Sequence, residues 1–354
     1  MEKFRQFADE STGINPFIPI WGQSKSSLLK KLTSIQVFAI RLVFLFPSIL
    51  MYLFFTLLIE MVYFDHIRVI LFSIFVKGIS RVILFVMGCV WMEQNMEIAP
   101  VSENNTNLSE KINGKGGLEI ATKSRKVIFS NRQSFTDILV YSSILGDPEY
   151  IFVDKSGVKL LTNSLFGMLY SMGFTKNIGV KRLKNGRLDT RYSVRPLVVF
   201  MEEANTNGSC ILAWNNIDKI SDTSEVRALL TNNVETSTIN YNLGSSIYGP
   251  QFTTGNLPLH IVLMLSYITF YKINIKSASK DYIMSRISSN NASLKKGEGI
   301  SLKDIQKSKS IDSSLALIQD IQGKISGLPI VKNGIDGATS FIEYWEKTNM
   351  GKSL

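Results

Sequence analysis

Leu42 to Ile59 reads LVFLFPSILMYLFFTLLI and contains no charged residue. A run of about 18 apolar residues is the lower limit for a helix that crosses a bilayer. It starts too late and runs too long for the apolar core of a signal peptide, and no small-x-small cleavage site follows it. Pro47 lies in its middle, where it removes a backbone donor and kinks a helix. Two geometries follow, a tilted, kinked span or a hairpin that enters one leaflet and returns. The plain alternative is a helix buried in a soluble core. A second oily stretch, Ile67 to Trp91, is interrupted by Arg68, Lys77 and Arg81 and reads as an interfacial amphipathic helix. Lys25, Lys30 and Lys31 precede the first run, which predicts a cytosolic amino terminus.

The remaining composition narrows the partners. The chain has 354 residues and a formal net charge of +10. A basic balance suits nucleic acid, anionic membrane or an acidic substrate. No zinc-finger spacing, RNA-binding aromatic motif or glycine-rich phosphate loop is present, so no nucleic-acid partner is expected and a lipid surface fits better. Two cysteines, Cys89 and Cys210, and two histidines, His66 and His260, support neither a disulfide framework nor a metal site. That cysteine usage fits a reducing, cytosol-facing compartment.

Residues 101–117 are polar and glycine-rich and read as linker or surface loop. Beyond them, short Val-, Ile- and Phe-rich runs alternate with helix candidates at 135–145 and 157–172. The runs are KVIFS (126–130), EYIFVD (149–154), NIGVKR (177–182), PLVVFME (196–202) and SCILAW (209–214). This alternation predicts an α/β domain with a largely parallel sheet flanked by helices, preceded by the membrane-embedded hairpin or span. YKINIKS (271–277) reads as a further strand. Residues 285–310 read as a mobile basic segment, Asp312 as the cap of a helix ending near Gly323, and 338–348 as a final helix. The expected organisation is a cytosolic segment over 1–27, a membrane anchor and amphipathic helix over 28–92, a linker over 93–117, the α/β domain over 118–280, and a basic segment with helices over 281–354.

Sites in such sheets are built on loops at the carboxyl ends of the strands. Two polar segments lie there, NRQSFTD (131–137) and MEEANTNG (201–208). Read plainly, Asn131 and Asp137 are caps for the helix starting near Phe135, Glu202 and Glu203 a solvated strand end, and His260 a core residue.

The order of these segments resembles the glycerolipid acyltransferases, which move an acyl group from acyl-CoA to a lysophospholipid. The family's first block is N-H-x-x-x-x-D; here Asn131, Arg132 and Asp137 occupy its fixed places. Its second region matches Lys155, Gly167, Gly173 and IGVKR ending at Arg182. Of its E-G-T-R-S block only the glutamate is kept, as Glu202; Glu203 and Ala204 replace the glycine and threonine, and no arginine follows. The fourth block, an apolar strand with proline, has only a loose counterpart in NLPLHIV (256–262). The opening MEKFRQFADESTGINPFIPIW, followed by an oily hairpin, is similar to the fungal lysophosphatidate acyltransferases of the endoplasmic reticulum and lipid droplets, a branch that also lacks the first-block histidine.

The resemblance implies a set of roles. Asp137, Arg132 and Asn131 form the catalytic loop. Arg182, Lys155, Glu202, Asn207 and Gly208 bind substrate. No cofactor or metal is bound; acyl-CoA is a co-substrate, and lysophospholipid and the bilayer are partners. In the family the histidine takes the acceptor hydroxyl's proton and the aspartate orients it. Arginine cannot replace that base, because it has no acceptor and stays charged. It can hold a phosphate or pair with Asp137. Asp137 and Glu202 are the other base candidates. Two functions follow: an acyltransferase converting lysophosphatidate to phosphatidate at the endoplasmic reticulum or lipid droplet, or a membrane adaptor that keeps the fold without the chemistry.

Overall fold

The computed structural model describes residues 2–19, 28–97, 125–154, 157–173, 180–181, 195–214, 233–244, 248–267, 269–283 and 309–349. Lys155 and Arg182, and residues 98–124 and 284–308, lie outside them.

Strands β1 (Cys89–Glu97), β2 (Lys126–Ser130), β3 (Glu149–Asp154), β4 (Gly157–Leu161), β5 (Val180–Lys181), β6 (Leu197–Phe200), β8 (Asn233–Asn242) and β9 (Tyr271–Ala278) form one sheet. Its order is β1-β9-β8-β2-β6-β3-β4-β5. The β8-β2-β6-β3 centre is parallel, as is β1 on β9; β8/β9, β3/β4 and β4/β5 are antiparallel. The chain is therefore α/β with a mostly parallel sheet. β7 (Ile211–Leu212) and β10 (Ile330–Val331) make a small parallel pair beside it.

The central strands read as continuous apolar runs because both of their faces are covered. Ile128, Tyr150, Phe152, Val198 and Phe200 point to one face. Val127, Phe129, Ile151, Val153, Leu197 and Val199 point to the other, where Leu315, Ile318, Ile321 and Ile325 of α7 (Lys309–Ser326) cover them. The first face carries α4 (Thr136–Leu145), α5 (Ser164–Ser171), α6 (Leu257–Ser266) and the oily amino-terminal helices.

Those helices are α1 (Leu28–Glu60), α2 (Asp65–Leu71) and α3 (Lys77–Val86), the last two joined by a π-helical turn, Phe72–Val76. Thr33–Glu60 and His66–Val86 are each long and apolar enough to cross a membrane. Both also pack on the sheet domain, through Leu45, Tyr52 and Ile59 of α1 and Phe72, Val76 and Ile83 of the second helix. The Arg41 guanidinium donates to the carbonyls of Met264, Tyr267 and Thr269 at the end of α6 and the approach to β9. Glu60 accepts from Asn163 Nδ2, just before α5, at 2.9 Å. These two ties lie about 28 Å apart along the helix at 1.5 Å per residue. α1 therefore lies lengthwise against the domain. Its outer side exposes Ile35, Val43, Phe44, Phe46, Phe54 and Leu57, and the second helix exposes Ile67, Ile70, Ile74 and Phe85.

Several elements differ from the sequence reading. The expected interfacial helix over Ile67 to Trp91 ends at Val86, and Gly88, at φ 105°, turns the chain into β1. The expected linker therefore begins as strand, with Glu93–Glu97 paired to β9. The 157–172 helix is a strand, β4, followed by α5. NLPLHIV is helix α6, because Asn256 caps it and Pro258 sits in its first turn, where no backbone N–H is needed. Asp312 lies inside α7, which begins at Lys309 and runs to Ser326. The carboxyl-terminal helices are built into the fold. Gln322 Nε2 donates to Ser237 O at 3.0 Å. Phe341 of α8 (Ile335–Asn349) is buried against Phe4, Phe7 and Phe17 from the chain's start.

Candidate functional site

The turn after β2 accounts for its own backbone. Asn131 replaces a rung of the sheet: its Nδ2 donates to Ile239 O at 3.0 Å and its Oδ1 accepts from Ile239 N at 2.8 Å. The β2–β8 pairing thereby continues past Ser130. Arg132 N donates to Glu202 Oε2 at 2.7 Å, and Arg132 O accepts from Thr206 N at 3.0 Å. Gln133 N and Ser134 N donate to Asp137 Oδ2 at 2.7 and 2.9 Å. Gln133 O accepts from Phe252 N at 3.1 Å. Buried backbone groups need such partners, and here side chains supply most of them.

Asp137 is the hub. It is fully buried, and its Oδ1 accepts from the Tyr241 hydroxyl at 2.5 Å. Burial pushes its carboxyl up to about 6 against the three hydrogen bonds that favour the anion. The helix-cap reading gives way. The α4 N-cap is Phe135, with no side-chain cap bond, and Asp137 instead closes the turn onto Gln133 and Ser134.

Glu202, at the end of β6, is buried too rather than a solvated strand end. Its Oε1 accepts from Leu212 N at 3.0 Å, its second oxygen being the one on Arg132 N. Burial lifts its carboxyl to about 8, with the Asp137 charge adding to the rise. The two polar segments expected to form one site are thus joined directly. The Arg132 guanidinium lies 5.0 Å over the Phe152 ring, in the field of both carboxylates.

Asn207 and Gly208 shape the neighbouring turn. Asn207 Nδ2 donates to Asn15 O and Ile18 O, and its Oδ1 accepts from Ser209 N and Oγ. It straps the amino-terminal segment against the site. Gly208, at φ 81°, passes so close to Gln133 that a Cβ would sit 2.8 Å from its Oε1. Gly167 likewise leaves room for Tyr150, while Gly173 faces open space.

His260 is buried on α6, with Nδ1 2.8 Å from the Tyr248 hydroxyl, and burial holds its imidazole down to about 4. It is a core residue, as expected. Among the described residues no group of three or more His, Cys, Asp or Glu could hold a metal. Tyr241, Gln133 and Thr206 complete the site but escape sequence reading. Tyr241 reaches Asp137 from a strand far along the chain, and no motif marks it.

No family model matches the chain, and no curated protein matches it. The crystal structure of the 1-acyl-sn-glycerophosphate (LPA) acyltransferase PlsC from Thermotoga maritima is similar to it at a TM-score of 0.36 and 11% identity, over 85% of this chain and 96% of that one.

Proposed function

We propose that this chain is an acyl-CoA-dependent lysophospholipid acyltransferase working at a membrane surface, with lysophosphatidate as acceptor. The observation that carries the reading is the bond from Arg132 N to Glu202 Oε2, which joins the first and third blocks of the resemblance at the carboxyl ends of β2 and β6. The first-block arginine then stands beside two buried carboxylates, on a turn whose backbone is fixed. A cation so placed suits a phosphate on acceptor or donor. Thioesters are reactive, and holding the acceptor hydroxyl against one contributes several kcal/mol by position alone, roughly 7–11 in favourable cases.

The membrane part of the reading rests on α1 lying along the domain. A helix tied to one domain at Arg41 and again at Glu60 fits insertion into a single leaflet, side-on. Its exposed phenylalanines and leucines form the lipid-facing side. One-leaflet insertion suits the monolayer of a lipid droplet as well as the cytosolic leaflet of the endoplasmic reticulum.

A second reading, a membrane adaptor with a retired site, is favoured by one observation. Both oxygens of Asp137 and of Glu202 already accept hydrogen bonds from the protein. Supplying acyl-CoA and lysophosphatidate to the membrane-bound protein separates the two. Phosphatidate formed above an empty-membrane control supports the enzyme; none, with normal membrane binding, supports the adaptor.

A further inference from the structure

The acyltransferase reading, on which this inference rests, leaves one step that neither Arg132 nor the two carboxylates bonded to its turn can carry. Something must take the proton of the attacking hydroxyl. Arg132 is a permanent cation without an acceptor. Asp137 is buried and holds Tyr241, Gln133 and Ser134. Glu202 is buried and holds the amides of Arg132 and Leu212. The chain has only two histidines. His260 is turned to Tyr248, and His66 is exposed on the oily hairpin.

We propose that the acceptor supplies its own base: a phosphomonoester on the carbon next to the attacking hydroxyl, held by Arg132, takes the proton. A phosphomonoester has a second pKa of about 6, so at neutral pH it carries a dianionic oxygen. In a glycerol 3-phosphate the sn-2 hydroxyl can reach that oxygen within one molecule. The hydroxyl oxygen bonds to the thioester carbonyl carbon as its proton passes to the phosphate. The carbon–sulfur bond then breaks, and the phosphate returns the proton to the departing CoA sulfur. Atoms and charge balance without a further reactant. Among the described residues, the carboxyl groups of Asp137 and Glu202 feel the guanidinium's charge, and Tyr241 donates to the first of them.

The inference fixes the acceptor class. A phosphodiester such as lysophosphatidylcholine has no such dianion, and monoacylglycerol has no phosphate. Both should react about 10²-fold or more slowly, the usual worth of a general base.

The deciding experiment uses the full chain in phosphatidylcholine vesicles with oleoyl-CoA. Three acceptors are compared: lysophosphatidate, its methylene phosphonate and its difluoromethylene phosphonate. The methylene raises and the two fluorines lower the second ionisation. The half-maximal pH of the acidic limb, where kcat/KM rises with pH, should move with each acceptor's own second pKa. In Arg132→His, which restores a protein base, it should stop moving. A limb that stays fixed in the wild type, or no limb at all, overturns the inference and leaves the acyltransferase standing; a protein carboxylate such as Glu203 would then be the base. Loss in Arg132→Gln that disappears with acyl-pantetheine as donor also overturns it, because the arginine then serves the CoA phosphates. No transfer to any acceptor overturns the inference and the function together.

Discussion

The Arg132 backbone amide and the Glu202 carboxylate meet at 2.7 Å, binding the turn after β2 to the turn after β6. Glu202 spends its other oxygen on Leu212 N. Glu202→Ala leaves two buried amides without acceptors and should cost about 2–5 kcal/mol. Glu202→Gln keeps one acceptor oxygen and should cost less. Urea unfolding of the three proteins in detergent gives the order.

The same carboxyl sets a pH dependence. Burial raises Glu202 from 4.5 to about 8 and Asp137 from 3.8 to about 6, so the folded chain holds protons that the unfolded chain releases. The stability these two groups contribute is therefore fully present below their unfolded values and is lost as pH rises through these windows. The urea midpoint should drop between pH 5 and pH 8, about the range those shifts span, and drop less in Glu202→Gln.

Asp137→Asn and Asp137→Ala should separate charge from architecture. An asparagine can turn its oxygen to Gln133 N and Ser134 N and its amide to Tyr241, so the turn survives. Alanine strands all three donors and should cost about 3 kcal/mol or more. Thermal melting of the two variants checks this.

Gly208→Ala pushes a Cβ to 2.8 Å from Gln133 Oε1 at a backbone φ of 81°. Both effects oppose folding, by about 1–3 kcal/mol. The displaced Gln133 would also loosen its 2.7 Å bond to Ile239 O. Hydrogen exchange at Ile239 should rise in the variant.

Side-on insertion predicts the sidedness of the hairpin turn. Met61 is exposed in that turn, and the native thiols, Cys89 and Cys210, are buried. In sealed microsomes, Met61→Cys should never be labelled by an impermeant reagent from the lumenal side alone. Labelling from the lumen would mean that α1 crosses.

How far the sequence could be read follows from where each partner lies. KVIFS and PLVVFME are legible because parallel strands buried on two faces are apolar throughout. The box at Asn131–Asp137 is legible because its residues are close in the chain. What those residues do is not, since their partners come from afar: Ile239 and Tyr241 from β8, Glu202 from β6. The edge strand β1 hides in a polar stretch, because its outer positions face no neighbour. Helix α6 hides behind Pro258, although Asn256 ahead of it carries the cap signal. The strap from Asn207 to Asn15 and Ile18 leaves no local trace at all.

The most direct test is acyl transfer from oleoyl-CoA to lysophosphatidate, in membranes of cells lacking other lysophosphatidate acyltransferases. Wild type, Arg132→His and Asp137→Asn are compared. The account predicts phosphatidate from the wild type, and from Asp137→Asn without the roughly 10⁴-fold loss that the same change causes in a Ser-His-Asp triad. A silent wild type that gains activity only as Arg132→His would contradict it, and would make the chain a preserved fold with its chemistry switched off.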